Sequence, residues 1–279
     1  GFIVGPYLGG KLSSPGVSFY GLFDTPSWFG ATTPFWFAAI LAMLNCAAVL
    51  TTFPETLKEK FHAGKLNALQ SVTNVVDGFK SERLRAVLIS GFLFSMGFTF
   101  FTTFFGIYLR NNFNFGPSKT GDYFAIVGLF IAFSQAVLVA RVSKKLSDYS
   151  VLRFSLFGNA AMMLLYFAVP TSFSFGLYLV IPFFTAFNGL TMANMTSLIS
   201  RSAEPGQQGQ AMGIYSSIQS LAQVPASVLV GYITTSITSS QPLVVASICI
   251  ALGGLFFVLF FKPKYVSPSV GDPTGAPSH

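Results

Sequence analysis

The feature that most constrains this chain is a series of apolar runs, each close to 20 residues long and poor in charge. About 20 apolar residues in a helix cross the hydrocarbon core of a bilayer. Only 9% of the 279 residues are charged, against about a quarter in a soluble domain. We therefore predict an all-α, polytopic membrane protein. The predicted complete spans are Thr33–Phe53, Ala86–Leu109, Gly121–Val142, Val151–Val169, Phe175–Ser200, Gln208–Thr235 and Leu243–Phe261.

Lys and Arg are unevenly divided between the two sides of this arrangement. If successive runs cross in alternate directions, 13 of the 16 basic residues fall on one side, leaving Lys11, Arg110 and Lys119 on the other. Basic residues accumulate in cytoplasmic loops. We therefore predict that the 55–85 loop and the C-terminus are cytoplasmic. The same pattern accounts for the net charge of +7 without a nucleic-acid partner.

The first ten residues are apolar yet rich in glycine and proline. In lipid, Gly and Pro are tolerated inside a span, although a glycine-rich turn is the alternative. Gly1 and Gly5 have the four-residue spacing that lets two helix backbones touch, and Pro6 can bend the segment. The pattern of Gly1, Gly5, Pro6, Gly9 and Gly10 resembles the signature on the fifth helix of proton-coupled exporters of the major facilitator superfamily.

Three further stretches resemble that superfamily. Residues 53–57, Phe-Pro-Glu-Thr-Leu, resemble the usual exit of its helix 6, and residues 210–215 resemble the start of its helix 11. Residues 140–148 resemble its loop signature between helices 8 and 9, although the glycine and the first acidic residue are missing. The resemblance implies a gating loop at this position. Its residues are Arg141, Lys144, Lys145 and Asp148.

The resemblance implies a domain plan and a function. Residues 1–54 would be the end of helix 5 and helix 6, 55–85 the central loop, 86–262 the C-terminal six-helix bundle, and 263–279 a disordered cytoplasmic tail. The implied protein is a secondary transporter of the drug:proton antiporter branch, similar to tetracycline and multidrug exporters, in a bacterial inner membrane. It would move a drug-like or amphipathic molecule by alternating access. Its partners would be the substrate, protons, the bilayer and the missing N-terminal half, with no cofactor.

Two alternatives to drug efflux remain open. The first is an uptake permease or symporter for a sugar or an organic anion. The second is a membrane sensor that transports nothing. An enzyme is not favoured, because the two histidines are His62 in the basic loop and His279 at the end. No nucleophilic triad, carboxylate pair or metal site can be assembled within the membrane from these residues.

Polar neutral residues suggest where a substrate would bind. Tyr215, Gln219 and Gln223 recur every four residues and form one stripe on the Gln208–Thr235 helix. An amide that faces lipid is costly, so the stripe predicts a wall of the central cavity. The alternative is hydrogen bonding between helices, worth about 0.6 kcal/mol per contact. Other candidate contacts, on three other helices, are Met96, Thr99, Gln135 and Asn188.

Several other residues have simpler predicted roles. Phe94, Phe98, Phe101 and Phe105 form a ladder that we expect to face lipid or the protein core. We expect Asp122 to lie in the first turn of its helix, where the helix dipole favours an acid. The two cysteines, Cys46 and Cys249, are expected to be small buried hydrophobic residues rather than a disulfide or a metal site.

Overall fold

The computed structural model describes residues 4–17, 24–52, 76, 78–142, 145–203, 207–236 and 241–261. The regular elements in these ranges are helices, which confirms the all-α fold. The helices are α1 (Val4–Leu12), α2 (Thr33–Thr52), α3 (Arg85–Phe113), α4 (Pro117–Val142), α5 (Asp148–Ala168), α6 (Phe175–Ser202), α7 (Gln208–Ser236) and α8 (Gln241–Phe260). Gly1, Lys144, the Phe53–Leu57 stretch, most of the 55–85 loop and the 263–279 tail lie outside the described residues.

Six of the described helices are long and apolar enough to cross a membrane, judged by length and composition. They are α2, α3, α4, α5, α6 and α8. The seventh predicted span, α7, is 29 residues long but is not one of these six, because serine and glutamine lower its apolar content. The predicted boundaries lie within four residues of the observed ones throughout. The protein is thus an integral, multi-pass membrane protein.

The chain forms two compact units. The first contains residues 1–68 and 115–128, and the second contains residues 69–114 and 129–279. The first part of α4 therefore belongs to one unit and the remainder to the other. The predicted domain boundaries follow the family resemblance rather than packing, and they stay predictions.

In the first unit, α1 packs against the first turns of α4. Gly10 and Gly121 meet at this contact. In contrast, α2 has no buried residue. Cys46 on α2 is exposed, so its predicted burial is wrong, because this apolar helix has no described neighbour covering that side.

In the second unit, five helices pack in a closed ring. α3 lies between α7 and α8, α8 contacts α5, and α5 contacts α6. The ring is closed by the contact between α6 and α7. The later part of α4 packs on α6 through a π-helical segment, Ser134–Val139. Such π segments interrupt the regular helical bonding and are frequent at functional sites.

The phenylalanine ladder of α3 belongs to the core of this unit. Phe94, Phe101 and Phe105 are each at most 3% exposed. The ring of Phe101 lies 4.5 Å from that of Phe105 and 5.0 Å from that of Phe184 on α6. Aromatic pairs of this kind add about 0.5–1.5 kcal/mol beyond the area they bury. Three members of the ladder therefore lie in the core, and the fourth, Phe98, is half-buried.

Candidate functional site

The backbones of α1 and α4 approach each other closely at two glycines. A Cβ atom on Gly10 would lie 2.6 Å from the carbonyl oxygen of Pro117, and one on Gly121 would lie 2.7 Å from that of Pro6. Gly5 and Gly9 have nothing within 4 Å of an added Cβ. The close approach expected from the Gly1–Gly5 spacing is therefore wrong for Gly5, Gly1 lies outside the described residues, and the approach occurs at Gly10 instead. Only a residue without a side chain fits there.

An ion pair lies beside this glycine contact. Lys11 Nζ donates to Asp122 Oδ2 and to Ser118 Oγ, each at 3.0 Å. The Lys11 side chain is 13% exposed and that of Asp122 is 43% exposed. Because α4 begins at Pro117, Asp122 lies in its second turn, and the predicted first-turn position is wrong. Its carboxylate is held instead by a lysine of another helix.

Tyr215, the first residue of the predicted polar stripe, is packed between helices. It is 4% exposed, and a Cβ on Gly91 of α3 would lie 2.8 Å from its Cε2 atom. Ser95 of α3 and Gln219 are hydrogen-bonding neighbours of its side chain. Along the stripe, burial falls from Tyr215 through the half-buried Gln219 to the exposed Gln223. The stripe thus runs from the helix interface to the surface of the unit.

The exposed half of α7 divides into two sectors, because successive residues turn by about 100° around a helix. The polar sector is half-buried or exposed and consists of Ser216, Gln219, Ser220, Gln223 and Ser227. The apolar sector, further around the same helix, consists of Leu221, Val224 and Val228, and the exposed Ser217 among them donates to the carbonyl oxygen of Gly213 at 3.1 Å. Each of its three apolar residues is more than half exposed. One exposed helix side therefore presents two different surfaces.

The serine hydroxyls of the polar sector are partly satisfied by their own helix. Ser220 donates to the carbonyl oxygen of Ser216 at 3.1 Å, and Ser227 donates to that of Gln223 at 3.0 Å. Such bonds let a serine sit in an apolar environment at low cost. The glutamine amides extend beyond the helix backbone. They are the polar groups of this sector that can reach a ligand or water.

Two polar atoms, one on α4 and one on α6, are buried without a hydrogen-bond partner among the described residues. They are Ser134 Oγ on α4 and Asn188 Nδ2 on α6. A Cβ on Gly189 would lie 3.0 Å from Ser134 Oγ, so the two helices touch at this point. Gln135, the candidate predicted here, lies on the exposed side of α4. The buried residue at this contact is Ser134, one position earlier, because adjacent residues of a helix point about 100° apart.

On α3, the candidate residues line a partly open side. Met96 and Thr99 are half-buried, and Thr99 Oγ1 donates to the carbonyl oxygen of Ser95 at 2.8 Å. Thr99 therefore has a satisfied hydroxyl, as the α7 serines do. A flexible thioether and a satisfied hydroxyl make an adaptable, weakly polar wall.

The predicted gating loop brings together different residues from those expected. Asp148, the first residue of α5, accepts hydrogen bonds of 2.6 Å from Ser197 Oγ and from Arg201 NH1, both on α6. Arg141 and Lys145 are exposed, and Lys144 is outside the described residues. The acid of this loop is thus paired with the end of α6, and the described loop cations remain at the surface.

Comparison with known proteins places this arrangement in a family. The family model described as Major Facilitator Superfamily matches residues 1–227 and, in a second match, residues 87–276. The chain belongs to the major facilitator superfamily.

Individual relatives of this superfamily member are distant. Hippocampus abundant transcript-like protein 1 of Rattus norvegicus is 24% identical over 249 residues, which cover 84% of this chain and 46% of the relative. Major facilitator superfamily domain-containing protein 10 of Mus musculus is 25% identical over a 285-residue alignment, covering 95% and 57%. The chain thus spans about half the length of the curated relatives it matches.

Sequence reasoning missed three residues of this superfamily member. Ser95 and Ser134 were hidden because a serine inside an apolar run gives no periodic signal. Arg201 was counted only as a basic residue of its loop, although an acid that begins one helix and an arginine that ends the next are natural partners. Within the described ranges, no three His, Cys, Asp or Glu side chains come together as a metal site would require.

Proposed function

We propose that this protein exports a drug-like or amphipathic small molecule in exchange for protons, by alternating access. The observation that carries the proposal is the polar sector of α7. Glutamine amides that face hydrocarbon are costly, whereas Leu221, Val224 and Val228 are suited to it. In this proposal α7 therefore lies at a boundary, with its apolar sector towards lipid and its polar sector towards a water-filled pathway.

In this proposal the substrate contacts come from four helices. Gln219 and Gln223 supply amides from α7, and Met96 and Thr99 form an adaptable wall on α3. Asn188, with its unpartnered donor, and the exposed Gln135 are added from α6 and α4. Tyr215 is a positioning residue, because its ring is held against Gly91 and its hydroxyl adjoins Gln219. A pocket that mixes amides with thioether and methyl groups suits an amphipathic ligand.

The exporter assignment rests on the first helix. Gly5, Pro6, Gly9 and Gly10 occupy the positions of the exporter signature, and Gly10 makes the close contact with α4. The relatives' names specify neither a substrate nor a coupling ion. In this proposal proton coupling would use acids other than Asp122 and Asp148, since both of these are engaged in ion pairs.

We further propose a cytoplasmic C-terminus and a gating role for the loop before α5. The orientation is supported by the distribution of Lys and Arg. The gating role is supported by the Asp148–Arg201 pair, which a rocking motion of the helices would make or break. The relatives named above are mammalian proteins and lend no support to a bacterial inner membrane, which stays a prediction.

Cysteine accessibility tests the proposal directly. In the complete protein lacking Cys46 and Cys249, single cysteines at Gln219 and Gln223 should react with a small hydrophilic thiol reagent, and substrate should slow the reaction. Cysteines at Leu221 and Val228, which are also exposed, are the matched controls and should stay unreactive in lipid. Equal labelling of both sectors, or none in the polar sector, would remove the basis of the proposal.

A second measurement identifies the type of transport. Proteoliposomes should accumulate an amphipathic dye only when the lumen is more acidic than the outside. Antiport requires this direction, because protons must leave the lumen as the dye enters. Movement of a sugar or an organic anion with the protons would favour uptake. Absence of transport by a protein whose polar sector is labelled would favour a sensor.

A further inference from the structure

A cavity of about 240 Å³ lies where α3 and α7 begin and α6 ends. It is separate from the polar sector of α7 and belongs entirely to the second unit. We propose that it binds the phosphate group of a phosphate ester. Its polar lining consists of Ser81, Arg83, Ser202, Gln207 and Gln210.

A buried hydroxyl in the lining indicates a missing partner. Ser202, at the end of α6, is 0% exposed, and its Oγ atom has no hydrogen-bond partner among the described residues. Ser217 and Ser220 donate to the carbonyl oxygen four residues earlier, whereas Ser202 makes no such bond. A buried hydroxyl that makes no bond is unfavourable. An acceptor oxygen entering the cavity would satisfy it.

The charge and the donors of the cavity favour an anion. Arg83 is its charged lining residue, and the described lining contains no Asp or Glu. A guanidinium group has five donors in a planar fork that suits phosphate oxygens, so it can bind phosphate while keeping other contacts. Ser81, Gln207 and Gln210 add further polar groups around it.

The start of α7 adds a second source of positive potential. Gln207, Gln210 and Ala211 all line the cavity, so the first turn of a 29-residue helix is open to it. The N-terminus of a helix has unpaired N–H groups and a partial positive charge, which together favour phosphate. Arginine, a buried serine hydroxyl and a helix N-terminus therefore converge on one cavity.

The phosphate group that binds in the cavity can belong to a phospholipid or to a soluble phosphate ester. The cavity lies at the ends of spans, where the headgroup of an anionic phospholipid is at hand, and its apolar wall of Leu84 and Ile214 could adjoin an acyl chain. A soluble phosphate ester would use the same donors. The volume suits a phosphate with its first substituent rather than a whole lipid. Neither source requires the transported substrate, so the site is independent of the proposed export.

The test uses the complete natural protein and two ligand arms. In the first arm, glycerol 3-phosphate is added in neutral detergent at constant ionic strength. In the second, nanodiscs of phosphatidylcholine are compared with nanodiscs that also contain phosphatidylglycerol. Thermal unfolding and native mass spectrometry measure binding. Binding in the first arm alone identifies a soluble ester, and binding in the second identifies a lipid; either supports the proposal. No binding in both arms overturns it.

Matched variants locate the binding. Arg83→Gln should weaken it about tenfold, the loss expected for a charge-assisted contact. Arg85→Gln removes the same charge two residues away, outside the lining, and should change binding by less than about twofold if distant charge is screened. Equal losses in both variants would overturn the site, because they would indicate a diffuse surface effect.

The Ser202→Ala variant separates an effect on phosphate binding from an effect on the stability of the fold. Removing a buried hydroxyl that has no partner should leave the unliganded protein as stable or slightly more stable. The same change should weaken phosphate binding several-fold, because the acceptor oxygen loses its donor. If Ser202→Ala leaves binding unchanged, the hydroxyl does not face the ligand and the proposal is wrong.

Discussion

Arg201 NH1 donates a 2.6 Å hydrogen bond to Asp148 Oδ2, which ties the last turn of α6 to the first residue of α5. The two residues are 53 positions apart in the chain. Ser197 Oγ donates to the same carboxylate oxygen, also at 2.6 Å. One acid thus holds two donors from a neighbouring helix.

We expect this pair to stabilise the end of the helix bundle. The Arg201 and Asp148 side chains are only 23% and 13% exposed, so the interaction is less screened than one at an open surface. A double-mutant cycle of Asp148→Asn and Arg201→Gln should give a coupling free energy of about 1–2 kcal/mol by thermal or denaturant unfolding. Arg153→Gln on the exposed side of α5 is the control. If the stability losses of the two single variants add up to that of the double variant, the ion pair contributes little to the free energy of unfolding.

The glycine contact of α1 predicts opposite effects at neighbouring positions. Gly10→Ala would place a Cβ 2.6 Å from a backbone oxygen, and relieving the overlap should cost about 1–3 kcal/mol. Gly9→Ala meets open space, so it should be neutral or stabilising by up to about 1 kcal/mol, because alanine favours a helix over glycine. Thermal unfolding of the two variants checks the contrast. Equal losses of stability in Gly10→Ala and Gly9→Ala would contradict the observed packing.

The polar sector of α7 predicts a change in substrate handling without a loss of folded protein. Gln219→Leu removes a half-buried amide, and we expect a higher KM or an altered substrate preference at near-normal yield. If the amide serves only to bond Tyr215, the variant should instead unfold at a lower temperature with unchanged KM. Tyr215→Phe is the companion variant, since it removes the hydroxyl that adjoins Gln219. Transport kinetics and thermal unfolding on the same preparations separate the two outcomes.

The distribution of basic residues predicts the orientation. In the protein without native cysteines, Ser81→Cys should be protected from an impermeant thiol reagent in intact cells, whereas Gly21→Cys should be labelled. Permeabilising the cells should expose position 81. Labelling of position 81 alone in intact cells would invert the orientation.

The positions of the helices follow from the sequence because the signal for a membrane span is local. A run of about 20 apolar residues satisfies its own backbone hydrogen bonds only as a helix in lipid. Charges and prolines then mark where it ends. For this reason the predicted spans agree with α2 to α8 within a few residues. The weakly apolar α7 was also located correctly as a helix, because its flanks are bounded in the same way.

What each helix contacts was decided by tertiary packing. Every helix has several sides, and the sequence does not say which one a distant helix will cover. Gly10 rather than Gly5 meets α4, because Gly121 is opposite it. Ser134 is buried and Gln135 is exposed, because adjacent residues of a helix point about 100° apart and the sequence does not say which of the two a distant helix covers. Tyr215 is enclosed while Gln223 is exposed, because α3 and α6 cover only part of the stripe, and Asp148 is held by an arginine that the fold brings back from 53 positions away.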